Sequence, residues 1–296
     1  MAEPNVPLEF ILERSHIGGV FREIAAKLGH TDQRAERLTR ILPESLRTAP
    51  VWRDRLTNLW RYDYGPPYDA LPGGQLVLGT TQSPEVRSLY RSVHAAESRL
   101  GSEELLKWLA RLPDPAKHVD VVVEMRPVVG LAASANAHFE VTGHGEGNKT
   151  IDWLVEPKAG RPLLLDVKNR ITDPLDHLRQ VMPAMQAGRN PGKPNAPDPS
   201  ALFRNTVEKF RPESRLAQLQ GVWIHTEIKQ DRNRLTAYFR GLDASRLHFA
   251  VLADWDDDAT ILVRDESDAP YLEKVFGVMG SSRFVADDYG DSGTVL

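Results

Sequence analysis

Two short apolar runs, each interrupted by one acid, constrain this chain more than any other feature. They are Thr150-Ile151-Asp152-Trp153-Leu154-Val155 and Pro162-Leu163-Leu164-Leu165-Asp166-Val167-Lys168-Asn169-Arg170, separated by Pro157-Lys158-Ala159-Gly160. Bulky apolar residues bounded by turn formers predict two strands. Successive side chains in a strand point to opposite faces, so Asp166 and Lys168 share one face. A carboxylate inside such a run is costly unless it is paired or holds a metal. If the turn around Lys158 closes a hairpin, Asp152 comes close to Asp166. Two converging carboxylates offer oxygen ligands of the kind Mg²⁺ takes.

Other chemistries are excluded by what the 296 residues lack. With no cysteine there is no disulfide framework, thiolate zinc site, iron–sulfur cluster or cysteine nucleophile, and a reducing, cytoplasmic location is expected. No stretch approaches the ~20 apolar residues of a membrane span, and Met1-Ala2-Glu3-Pro4-Asn5 lacks a secretory pattern, so no membrane partner is expected. Gly-x-Ser-x-Gly elbows and P-loop or kinase glycine patterns are missing too. Net charge is only −4, but it is unevenly spread. Residues 158–240 carry 15 Lys/Arg against 8 Asp/Glu, whereas residues 251–296 carry 3 against 11. A middle third of that sign suits a polyphosphate partner, and the acidic tail opposes it.

The pattern as a whole is α/β. Residues 1–75 read as a helical N-terminal region, ended by breakers between Tyr62 and Gly74, and residues 76–296 as a second domain with an acidic α/β extension. Within the first, Phe21 to Leu42 has the look of a helix-turn-helix whose second helix carries Arg34, Arg37 and Arg40. Ser83-Pro84-Glu85 opens a helix to Leu100, with Glu97 on or beside the apolar stripe of Val86, Leu89, Tyr90, Val93 and Ala96. Strands are predicted over Val119–Met125, Ala137–Thr142, Thr150–Val155 and Pro162–Val167, forming an antiparallel meander. A helix around Pro174–Met185, a polar stretch over Gly188–Ser200, a helix over Ala201–Phe210 and strands over Gly221–Ile228, His248–Ala253 and Thr260–Arg264 follow.

A helix with an inward Glu, a strand with Asp, a turn, a strand ending Asp-Val-Lys and then a helix together resemble the PD-(D/E)XK, or restriction-endonuclease-like, nuclease superfamily over about residues 83–228. The resemblance implies an αβββαβ core with a mixed central sheet. It also implies Mg²⁺ (or Mn²⁺) held by Asp152, Asp166 and Glu97, and Lys168 beside the attacking water. Ile151 replaces the proline of the motif and the second acid is Asp rather than Glu; Glu124 and Glu140 are rival third ligands. The expected activity is metal-dependent hydrolysis of phosphodiester bonds in nucleic acid, DNA in preference to RNA. Arg161, Arg170, Arg179, Arg204, Lys209, Arg211 and Arg215 are expected to grip flanking phosphates. The alternative is a catalytically silent DNA-binding or protein-interaction module on the same scaffold, and the sequence leaves room for a homodimer.

Overall fold

Buried valines, leucines and phenylalanines fix the elements of the computed structural model, which describes residues 12–54, 59–62, 85–114, 117–131, 135–170, 199–226, 229–255, 258–278 and 282–285. The chain divides into two units, one reaching to Met125 and the other starting at Arg126. The boundary expected near residue 75 lies outside the described residues. The division falls later because the helix expected to open the second domain packs on N-terminal elements.

The first unit contains β1 (Leu12–His16), α1 (Ile17–Lys27), α2 (Asp32–Ile41), α3 (Glu44–Thr48), β2 (Pro50–Asp54), β3 (Leu59–Tyr62), α4 (Val86–Arg99), α5 (Ser102–Arg111) and α6 (His118–Glu124). Ile17, Val20, Phe21, Ile24 and Ala25 give α1 its buried stripe, and Thr31 caps α2 by accepting from the Arg34 N–H. The β1–β2–β3 antiparallel sheet is unexpected, since this region reads as helical.

Val119–Met125 is a second correction, because it forms helix α6 instead of a strand. Its β-branched residues favour strand, yet Val121, Val122 and Val123 are all buried against helices. Two carbonyls of its C-terminal part find side-chain donors, Trp108 Nε1 on Val121 O (2.9 Å) and Ser92 Oγ on Val122 O (3.1 Å). Tertiary packing and satisfied carbonyls therefore outweigh local propensity.

The second unit is a mixed α/β sheet with helices on it. It contains α7 (Arg126–Val129), β4 (Asn136–Val141), β5 (Ile151–Glu156), β6 (Leu163–Asn169), α8 (Pro199–Val207), β7 (Leu219–His225), α9 (Lys229–Arg240), β8 (Phe249–Ala253), β9 (Ala259–Val263), α10 (Ala269–Phe276) and β10 (Ser282–Phe284). Among the described residues the sheet has seven strands in the order β10-β9-β8-β7-β6-β5-β4. β4, β5 and β6 form the expected antiparallel meander, β6, β7 and β8 run parallel, β9 is antiparallel to β8, and β10 is parallel to β9. β7 and β8 are buried at every position, as central strands covered on both faces must be. Leu164, Val222 and Ile224 meet Phe203 and Phe210 around α8 and Leu235 and Phe239 of α9 in one apolar cluster. The helix expected around Pro174–Met185 and most of the Gly188–Ser200 stretch lie outside the described residues.

Gly221, in the middle of β7, pairs with Phe249 of β8, whose ring folds over it. A Cβ there would enter the ring, and both residues belong to the buried centre. Gly221→Ala is expected to lower stability by about 1–3 kcal/mol through overpacking. Urea unfolding measures this, and a midpoint equal to the wild type's would show that Phe249 has room to move.

Candidate functional site

The β5–β6 register pairs Trp153 with Leu165, which makes Asp152 and Asp166 the next opposed positions. Both carboxylates therefore lie on the same sheet face. Asp166 is fully buried and surrounded by donors. Its Oδ2 accepts from Lys168 Nζ at 2.5 Å and Thr206 Oγ1 at 2.7 Å, and its Oδ1 accepts from Lys209 Nζ at 2.5 Å. Asp152 Oδ2 accepts from the Val167 N–H at 2.6 Å, and Lys209 Nζ lies 3.7 Å from Asp152 Oδ1. One ammonium thus stands between two carboxylates. The side chains of Asp152, Lys168 and Lys209 are 24%, 19% and 26% exposed, so the cluster opens to solvent although Asp166 does not.

The electrostatics separate the two acids. Burial, followed by the Asp166 charge, pushes the Asp152 carboxyl up to about 7. Burial also works against ionised Asp166, but Lys168 and Lys209 outweigh it and hold this carboxyl below its usual range. For Lys209, burial disfavours the ammonium and the two aspartates more than compensate, so its pKa is raised.

Local structure explains how Lys209 arrives. It lies two residues past the end of α8 and three after Thr206, so both reach the same carboxylate. The glycine-rich turn after β4 clamps this segment. The Glu146 N–H donates to Lys209 O at 2.7 Å, Lys149 Nζ to Glu208 O at 2.8 Å, and Gly145 bridges Phe210. Gly145 lies against the Lys149 carbonyl without room for a Cβ.

The other expected site residues are dispersed. Glu97 belongs to the first unit, where it takes Arg37 Nε at 2.8 Å, and Glu124 is held there bidentately by Arg111 at 2.9 and 2.5 Å. Glu140, at the register position across β4 from Asp152, has a left-handed φ of 50°. Among the described residues no three His, Asp or Glu form a metal-ligating group. Arg161 and Arg215 precede the amino ends of β6 and β7, whereas Lys168 lies five residues, about 16 Å at ~3.3 Å per residue, beyond the first residue of β6, and both arginines are engaged by Asp268 (2.5 and 3.3 Å). Arg170 is buried beyond β6, whereas Arg204 and Arg211 are exposed. Arg179 lies outside the described residues. On α2, Arg37 is committed to Glu97 of α4, and Arg40 pairs with Glu36 of its own helix at 3.5 Å.

Sequence reasoning assigned Lys209 to flanking phosphates and overlooked Thr206; the only signal was their i,i+3 spacing. Two carboxylates and a hydroxyl are hard oxygen ligands and fit Mg²⁺ with waters, provided Lys209 yields the space between the acids. No helix among the described residues is long and apolar enough to cross a membrane. No family model, curated protein or solved structure matches the chain.

Proposed function

We propose that this protein is a Mg²⁺-dependent nuclease of the restriction-endonuclease-like kind, hydrolysing phosphodiester bonds in nucleic acid, DNA in preference to RNA. The observation that carries this reading is the convergence of Asp152, Asp166 and Lys168 on one face of β5 and β6. The β4–β5–β6 meander, α8 and parallel β7 follow the strand and helix order of that core.

Asp152 and Asp166 would hold the cation, which when bound polarises the scissile phosphate and lowers the pKa of water. Lys168, whose Nζ lies 2.5 Å from Asp166 Oδ2, would orient that water and offset charge on phosphate oxygens. Thr206 keeps Asp166 aligned through its hydroxyl. Lys209, withdrawn from the carboxylates, would face the phosphate as a further cation.

One observation favours a second reading, the silent module. Lys168 and Lys209 already neutralise the two acids, as a retired metal site would require. Cleavage of plasmid and single-stranded substrates separates the two. Under the first reading cleavage needs Mg²⁺ or Mn²⁺, stops with chelator and is lost in Asp152→Asn and Lys168→Met. Calorimetry should then show tighter metal binding in Lys209→Met, which unblocks the acids. Nucleic-acid binding without cleavage under either metal, and no heat of metal binding in Lys209→Met, would establish the silent module instead.

A further inference from the structure

The small sheet of the first unit has two unlike faces. On one, Val51 and Tyr62 are fully buried and Trp60 is 6% exposed, with the Tyr62 hydroxyl 2.6 Å from His118 Nε2. On the other, register places Arg14 of β1 opposite Trp52 of β2, and Trp52 opposite position 61 of β3, an arginine. Arg14 and His16 are exposed, Trp52 and Pro50 are half-buried, and the Arg14 guanidinium lies 5.7 Å from the Trp52 ring centroid. Trp108 and Trp153 are fully buried in the cores and Trp223 is 5% exposed, whereas Trp52, like Trp255 of the second unit, is only half-buried.

We infer that this outer face binds single-stranded nucleic acid, with an unpaired base stacked on Trp52 and phosphates met by Arg14 and the cations beyond His16. An exposed guanidinium beside an indole ring on an antiparallel sheet offers a π-face and positive charge together, the combination that unpaired bases on a phosphate backbone complement. A duplex presents its bases edge-on and stacked, which leaves the ring without a partner. The face continues past His16 into an open cavity of about 300 Å³ lined by His16, Gly18, Arg22, Glu36, Thr39 and Arg40. Arg22 and Arg40 hold Glu36 only loosely there, at 3.9 and 3.5 Å, and their side chains are 48% and 79% exposed. At the far end the register row is Leu12, Asp54 and Leu59, so the one acid position lies away from the cavity.

This surface belongs to the first unit and does not depend on catalysis in the second. The test uses the full chain in EDTA, with fluorescence anisotropy of labelled oligothymidylate and of a matched duplex. The single strand should bind better than the duplex, with affinity falling steeply with salt. Trp52→Ala should weaken binding about fivefold or more, the equivalent of the ~1–3 kcal/mol that stacking of one base supplies. Trp52→Phe should retain most of the affinity, and Arg14→Ala should lower the salt slope by about 0.7. Because Phe preserves the fold and the stack, a Trp52→Ala affinity equal to that of Trp52→Phe would overturn the proposal. Equal or tighter duplex binding, or binding of polyglutamate with none of oligothymidylate, would also overturn it. Loss of metal-dependent cleavage with these affinities intact would count against the nuclease reading alone.

Discussion

Asp166→Ala is expected to lower stability by about 3–5 kcal/mol, the cost of removing one partner from a buried ion-pair cluster. Asp166 accepts from Lys168, Lys209 and Thr206 with no exposure of its own. Its removal leaves two ammonium groups facing each other across a small cavity and a buried hydroxyl without an acceptor. Partial exposure of Lys168 and Lys209 lets them turn toward water, which keeps the cost from going higher. Asp152→Asn should behave differently. Its carboxyl is pushed up to about 7, so near neutral pH much of it is already uncharged, and the amide can still accept from Val167. We expect a change within about 1 kcal/mol, as for substitutions that leave buried partners satisfied. Urea unfolding at pH 7 compares the two, and similar losses would mean that Lys209 does not distinguish the acids. For assays of cleavage, Asp152→Asn is accordingly the folded inactive variant, and Asp166→Ala confounds activity with stability.

The convergence of Asp152, Asp166 and Lys168 was legible because it follows from alternation and a hairpin, both local rules. Lys209 was not, because nothing near position 209 specifies that the Gly143–Gly147 turn will dock on the end of α8 and aim the side chain at a strand forty residues earlier. Composition misled in one instructive way. The basic middle third and the acidic tail looked like opposed fields, but folding brings them together. Arg161 and Arg215 meet Asp268, Arg215 also meets Asp265, and Arg232 meets Asp254 and Asp258. Three of the basic residues counted in that third are therefore paired with the acidic tail inside the second unit. The β1–β3 sheet escaped notice because its strands are four or five residues long and mix Arg with Trp, too short for a period to show. Val119–Met125 shows the converse, a run with strand propensity made helical by donors from two neighbouring helices.

Between pH 7 and pH 5 one buried histidine in each unit, His118 and His225, is expected to withdraw about 2 kcal/mol of stability. His94, also lowered to about 4, adds to this in the first unit, and the raised Asp152 carboxyl opposes it in the second. In the first unit His118 receives or donates on both nitrogens, to Tyr62 Oη at 2.6 Å and Leu112 O at 2.9 Å. A neutral ring satisfies both when Nδ1 donates to the carbonyl and Nε2 accepts from the phenol. Burial lowers its pKa to about 4, against a smaller opposing pull from the Leu112 carbonyl. In the second unit the His225 ring centroid lies 3.9 Å from that of Trp255, neither ring nitrogen has a hydrogen-bond partner among the described residues, and burial, with the nearby Arg126 charge, lowers its pKa to about 3. Both folded values lie below the ordinary 6.5, so the unfolded chain takes up protons first as pH falls. Stability is fully present above about 6.5 and is lost down to about 4 for His118 and about 3 for His225. The slope approaches ~1.4 kcal/mol per pH unit for each group. His225→Leu removes two buried unpaired nitrogens, so it should raise stability at pH 7 and flatten the acid limb of the second unit while leaving that of the first. Urea midpoints measured across this range, with separate probes for the two units, test the assignment; an acid limb in His225→Leu as steep as in the wild type would remove His225 as its source.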